Sequence, residues 1–218
     1  MRITLAKTAG FCFGVDRAVS MAYELAEQGF NAATLGLLIH NTRVTSELEE
    51  KGVRTIDEVS QAAKGETVII RAHGVGRKIY EELESCGVNI CDATCPFVKK
   101  IHTVVAENSS EESPVLIAGD PNHPEVQGIV GHCNGEVFVF NNAEELEEII
   151  KTNPDLCEKR IIFVSQTTFS QNEWKKCKEK IKIYCTNSKI FDTICFATRK
   201  RQDEAAELSK KSDMMIII

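Results

Sequence analysis

No run of apolar residues in this 218-residue chain reaches the ~18 that a membrane-spanning helix needs, so no spanning helix is expected. Positive charge is also short. The 26 Lys and Arg stand against 32 Asp and Glu, a net charge of −6, without the broad basic field that nucleic acid or an anionic membrane would attract. An anionic small molecule could still be held through local donors. Nine cysteines include no Cys-x-x-Cys pair, the usual building block of a structural zinc site. No Pro/Gly/Ser-rich linker or low-complexity stretch occurs, so the parts of the chain should pack rather than tumble. The opening MRITLAKTAGFCFGV has neither a long apolar core nor an Ala-x-Ala cleavage pattern, and a cytoplasmic location is expected. There, cysteines serve as thiols, metal ligands or catalysts more than as disulfides.

What is present is ordinary globular material, 43% hydrophobic and 27% charged, enough for one or two domains. Apolar strands alternate with amphipathic helices. A short strand at Ile3–Ala6 leads through Cys12 into a helix with Val15, Ala18, Val19, Ala22, Leu25 and Ala26 on one face. Further strands are expected at Ala33–Ile39, Thr67–Ala72, Asn89–Cys95, Pro114–Gly119, Val137–Phe140, Ile161–Ser170, Lys189–Cys195 and the final MMIII, with helices between them. Continuous apolar strands separated by helices imply parallel sheets covered on both faces, an α/β protein. Ligands of such sheets gather at the carboxyl ends of strands. Those ends carry Cys12, His40, His73, Cys95, His123 with Glu125, Thr167 and Cys195. In addition, ICDATCPFVKK (Ile90–Lys100) aligns without a gap with IFDTICFATRK (Ile190–Lys200), each holding Asp-x-x-Cys and a basic pair. Similar α/β units arranged around one point are therefore expected.

Cys12, between Gly10 and Gly14, is expected to gain from helix amides and the helix dipole, which favour thiolate. Three thiolates converging from Cys12, Cys95 and Cys195 suit an iron–sulfur cluster better than zinc. A four-iron cluster on three cysteines keeps one iron free of protein ligands. Cys86 and Cys91 read as packing thiols, and Cys133, Cys157, Cys177 and Cys185 have no polar company. His40, His73 and His123 can donate to phosphate oxygens, whereas His102 and His132 read as satisfied core or surface residues. Glu125 would stand as a helix N-terminal carboxylate if alone. Beside a bound anion and a reduced cluster it would be protonated and act as an acid. Thr167 and Thr168 offer hydroxyls to relay a proton or to position a substrate.

GFCFGV, HN, AHG, DATCP, HPE, SQTT and the Cys-x-Ala-Thr at Cys195–Thr198 resemble, in order and spacing, the LytB-type 4-hydroxy-3-methylbut-2-enyl diphosphate reductases. The resemblance spans the whole chain. It implies a pseudo-three-fold trefoil of small parallel-sheet α/β units around a central cluster, with units at 13–96, 97–193 and 1–12 plus 194–218. It implies a [4Fe-4S] cluster on Cys12, Cys95 and Cys195 with one iron not ligated by protein. His40, His73 and His123 would bind the diphosphate, Glu125 would donate the proton, and Thr167 would contact substrate. The implied reaction is reductive dehydroxylation of the allylic diphosphate to isopentenyl and dimethylallyl diphosphate, with a ferredoxin or flavodoxin as electron donor. Because the family continues past MMIII with a Ser/Asn-rich loop and further elements, the third unit is expected to be incomplete here. Two other classes remain open on the residues: a non-catalytic cluster- or zinc-binding α/β protein, and a thiol transferase using Cys12 as nucleophile.

Overall fold

The computed structural model describes residues 3–217; Met1, Arg2 and Ile218, assigned above to the third unit, lie outside them. The first sheet comprises β1 (Ala32–Leu35), β2 (Arg54–Ile56), β3 (Thr67–Ile70) and β4 (Asn89–Asp92), in the order β2-β1-β3-β4. The second comprises β5 (Val115–Ala118), β6 (Val137–Phe140), β7 (Ile161–Ser165) and β8 (Ser188–Ile190), in the order β6-β5-β7-β8. Every pairing is parallel, and the two sheets repeat one winding.

The central strands β1, β3, β5 and β7 are buried at every position, which is why their sequences run continuously apolar. Helices α1 (Phe13–Glu27) and α2 (Thr42–Glu50) cover one face of the first sheet, and α3 (Arg77–Cys86) covers the other. On the second sheet, α4 (Pro96–Asn108) and α5 (Pro124–Val130) lie on one face, α6 (Ala143–Thr152) and α7 (Gln171–Tyr184) on the other. Side chains of Asn41, Asn142 and Ser170 accept the exposed amides that open α2, α6 and α7. A last helix, α8 (Phe196–Ser209), buries none of its residues.

Four expectations are corrected. Ile3–Ala6 and Met214–Ile217 form no strand, because no neighbouring strand among the described residues supplies a ladder. Ile3 and Leu5 are each 81% exposed, and the segment is held by α8 instead. The Glu204 carboxylate accepts the amides of Lys7 and Thr8 at 2.7 and 2.8 Å, and the Arg201 guanidinium donates to the Gly10 carbonyl. Several strands also stop earlier than their apolar runs. β1 ends at Leu35 because Gly36 turns the chain at φ +71°, and β7 ends at Ser165. The DPNHPEVQG stretch, expected as a loop stiffened by its two prolines and its glycine, enters helix α5 at Pro124. Finally, Cys157 and Cys185 are joined as a disulfide, where the connection after α6 meets the end of α7.

Candidate functional site

Cys12, Cys95 and Cys195 occupy one structural position three times: each is the N-cap residue of a helix, α1, α4 and α8. Cys12 and Cys195 have extended backbone, Cys95 lies at φ −57° and ψ 132°, and no side-chain cap hydrogen bond is made by any of the three. The internal repeat explains two of them. Cys95 N donates to Ala72 O at 3.0 Å just past β3, and Cys195 N donates to Thr167 O at 2.9 Å just past β7. The Asp of each repeat pairs with its own basic residue, Asp92 with Lys99 and Asp192 with Arg199, both at 2.7 Å. Cys12 is brought in by the grip of α8 on the N-terminal segment and by α1 itself. A Cβ on Gly14 would overlap the Cys95 sulfur, so glycine there is what lets α1 reach the second thiol.

Cys12 and Cys195 are both close enough to Cys95 for their charges to reach it. Burial pushes the Cys95 thiol up, Cys12 and Cys195 add to the rise, and the amides of Phe97 and Val98 oppose it. At Cys95 burial outweighs the helix amides. A coordinating metal would reverse that balance. Zinc would draw its sulfurs to ~2.3 Å from one point. No three His, Cys, Asp or Glu among the described residues are near enough to share one ion. A multi-iron cluster spreads its thiolates over separate irons and fits thiols that are neighbours without touching.

Just beyond β3 and at the start of α5, three imidazoles meet. The ring centroids of His40 and His73 are 5.4 Å apart, and those of His73 and His123 are 5.3 Å apart. Burial lowers His73 to about 4, with the charges of His123, Arg71 and His40 acting in the same direction. His73 is therefore neutral near pH 7, and its buried Nδ1 has no partner among the described residues. His123 caps α5 by accepting the Glu125 amide on Nδ1 at 3.1 Å. That bond puts the proton on Nε2, leaving an N–H free to donate.

Glu125 is 3% exposed, and among the described residues its carboxylate bonds to Thr167 alone. Its Oε1 accepts the Thr167 amide at 2.6 Å and its Oε2 accepts the Thr167 hydroxyl at 2.7 Å. Burial raises the carboxyl above the ordinary glutamate range, against the pull of both Thr167 donors. Since the Thr167 carbonyl also takes the Cys195 amide, one residue ties the acid to a thiol-bearing turn. Thr168 is used differently, accepting from the Gln166 side-chain amide at 2.9 Å.

Sequence reasoning passed over two side chains at this centre. Arg71, two residues before His73, has a buried Nε without a partner among the described residues. His102 is 4% exposed, stacked on His132 at 4.2 Å, and its Nε2 has no partner among the described residues, so it is buried but not satisfied by them. A Cβ on Gly74 would come within 2.6 Å of its ring, and one on Gly128 within 3.3 Å. Neither role has a local signal, since both depend on which residues of the other sheet lie opposite.

The model of the family described as LytB protein matches residues 3–218. A 4-hydroxy-3-methylbut-2-enyl diphosphate reductase of Thermoanaerobacter sp. (strain X514) is 44% identical over 222 residues, covering 100% of this chain and 75% of the relative. The enzyme of that name from Clostridioides difficile (strain 630) is 41% identical over 219 residues, covering 100% and 77%. A solved (E)-4-hydroxy-3-methyl-but-2-enyl diphosphate reductase, titled the terminal enzyme of the non-mevalonate pathway, superposes with TM-score 0.76 at 34% identity, over 97% of this chain and 74% of that one. The Plasmodium falciparum E-1-hydroxy-2-methyl-but-2-enyl-4-diphosphate reductase gives 0.81 at 26% identity, over 94% and 64%. The chain thus spans about three quarters of the length of these curated relatives. With two equally wound α/β sheets whose strand ends bring together three N-cap cysteines, an imidazole triad and a buried Glu–Thr pair, the chain belongs to the LytB protein family.

Proposed function

We propose that this protein is an iron–sulfur oxidoreductase that removes the allylic hydroxyl of (E)-4-hydroxy-3-methylbut-2-enyl diphosphate, giving isopentenyl and dimethylallyl diphosphate. The observation that carries this reading is the double role of Thr167, bonded to Glu125 through its amide and hydroxyl and to Cys195 through its carbonyl. It supports Glu125 as a proton source joined to the thiol centre through one residue. Cys12, Cys95 and Cys195 would hold a [4Fe-4S] cluster with one iron lacking a protein ligand. When bound, that group supplies single electrons and an open Lewis-acidic metal corner.

The rest is the work of this chain's own side chains. His40, His73 and His123 bind the diphosphate, His73 as a neutral donor at little cost because an imidazole already uncharged is cheaper to bury. Glu125, whose carboxyl burial raises above the ordinary glutamate range, would deliver its proton from Oε2 to the Thr167 hydroxyl, which reorients to accept it and passes its own proton on. The walls formed by Thr167 and the α5 start keep that carboxyl from bulk water. Electrons would come from a ferredoxin or flavodoxin, in the cytoplasm.

Anaerobic purification with iron and sulfide counted, followed by substrate and a chemical reductant, tests this reading. It predicts four irons and four sulfides per chain and release of both five-carbon diphosphates. A colourless zinc protein, or activity that survives in air and survives loss of Cys95, would sink it.

A further inference from the structure

Helix α1 opens on Cys12 and carries Arg17 in its second turn, and the Arg17 guanidinium reaches across to the turn that holds Cys95. Its Nη1 donates to the Thr94 carbonyl at 3.3 Å and its Nη2 to the Asp92 carbonyl at 3.4 Å. The Thr94 carbonyl belongs to the same peptide unit as the Cys95 amide, which donates to Ala72 O at 3.0 Å. Both polar atoms of that unit are therefore held, one from the end of β3 and the other from α1. The Thr94 amide is held as well, by Asp92 Oδ1 at 3.0 Å, while Asp92 Oδ2 takes Lys99. Among the described residues Arg17 pairs with no carboxylate and bonds to no sulfur, so its fork is spent on this turn alone. The Cys195 turn does without such a grip. Its Asp192 carboxylate takes the Trp174 indole and Arg199, and no side chain among the described residues donates to the carbonyls of Asp192 or Ile194.

We propose that Arg17 is a positioning residue for the iron–sulfur centre, clamping the Cys95 turn to the helix that opens at Cys12 and so fixing the spacing of those two thiols. The inference rests on the reading of Cys12, Cys95 and Cys195 as cluster ligands. Gly14 lets α1 come close to the Cys95 sulfur but cannot hold it there, because a missing methyl gives room and no attraction. Arg17, on the same helix face as Gly14, supplies the attraction. A planar fork on two carbonyls fixes orientation as well as distance, which a single ammonium donor cannot do. Groups that orient metal ligands in this way are worth ~10–100-fold in metal retention.

Iron release from the anaerobically purified holoprotein to a ferrous chelator tests the proposal without relying on turnover. It is read beside the electron-resonance spectrum of the reduced cluster and the melting temperature of the apoprotein. Arg17→Met should release iron about tenfold faster and change the spectrum, while its apoprotein melts near the parent's temperature. Arg17→Lys keeps the charge and one donor, and should recover only part of the retention. Parent-like retention in Arg17→Lys would show that charge rather than the two-carbonyl grip counts, and parent-like retention in Arg17→Met would show no role at all. Either result overturns the proposal and leaves the ligand reading standing. A lower apoprotein melting temperature with an unchanged spectrum would show a merely structural arginine and overturn it too. Should Arg17→Met fail to fold, Arg17→Lys decides alone: faster iron loss at the parent's melting temperature upholds the grip, and parent-like retention refutes it. A parent protein that holds no iron would remove the ligand reading and the proposal together.

Discussion

Both oxygens of Glu125 are committed to one residue, and that arrangement survives replacement of the acid by its amide. A glutamine at this place can still accept the Thr167 amide on its oxygen, while its NH₂ donates to a reoriented hydroxyl. What it loses is only the proton. Glu125→Gln should therefore keep the full iron content and diphosphate affinity yet turn over ~10²–10⁴-fold more slowly, the usual worth of general acid catalysis. Steady-state rates together with diphosphate titration check this; near-normal turnover would take the proton donor's role from Glu125. Much of the site at this scale was legible, since Cys12, Cys95, Cys195, the three histidines, Glu125 and Thr167 all stand at or just past strand and helix ends where an α/β sheet gathers its chemistry. Arg71 was not legible. It sits inside an apolar run, and only the absence of a carboxylate in three dimensions marks it.

At the scale of elements, the same small device is used three times: a helix opens on a cysteine and leaves its thiol uncommitted. Alternation of apolar strands and helices showed this arrangement for α1, α4 and α8, and the Asp-x-x-Cys repeat showed that α4 and α8 are equivalent. The extended Ile3–Ala6 and Met214–Ile217 misled because apolar composition signals a strand but cannot say whether a neighbour exists to pair with it. β2 was missed for the converse reason, being three residues long and opening on an arginine. Gly14 exposes a conflict between levels. Alanine is the better helix former by ~1 kcal/mol, so Gly14→Ala should keep or raise the helicity of α1. Its methyl would nevertheless occupy the place of the Cys95 sulfur. The expected result is unchanged far-ultraviolet circular dichroism with a clear fall in iron and sulfide per chain. Full cluster content in that variant would mean that Cys95 can swing away at no cost.

Across the whole molecule, the two sheets meet along a seam of small residues and stacked imidazoles, and the site lies on that seam. Gly76 faces Gly131 so closely that a Cβ on Gly131 would stand 2.6 Å from the Gly76 Cα, and Arg77 N donates to Gly131 O at 3.2 Å. His132 bonds the Val75 carbonyl at 3.0 Å, and His102 lies beneath both Gly74 and Gly128. His73 on one side and Glu125 on the other are thus spaced by the same buried ring. Burial lowers His102 to about 3, with His132 adding to the fall, so His102 is neutral in the folded protein across the physiological range. In the unfolded chain it takes up a proton near pH 6.5. Between those two values the unfolded state binds more protons, so stability is full above about pH 6.5 and declines as the pH falls below it. His73, lowered to about 4, acts with the same sign over a narrower window. The raised Glu125 carboxyl acts with the opposite sign, so His102 is read from the difference between parent and His102→Phe denaturant midpoints from pH 8 to 4.5, which should be level down to about 6.5 and then change as the pH falls. His102→Phe keeps the stacked ring, removes one titrating group and removes an unpaired buried nitrogen. It should leave stability at pH 7 equal or higher and reduce the acid slope by about one proton, ~1.4 kcal/mol per pH unit. An undiminished slope would show that the seam does not hold His102 out of reach of water, and with it would go the idea that one dry contact sets the spacing of both halves of the site.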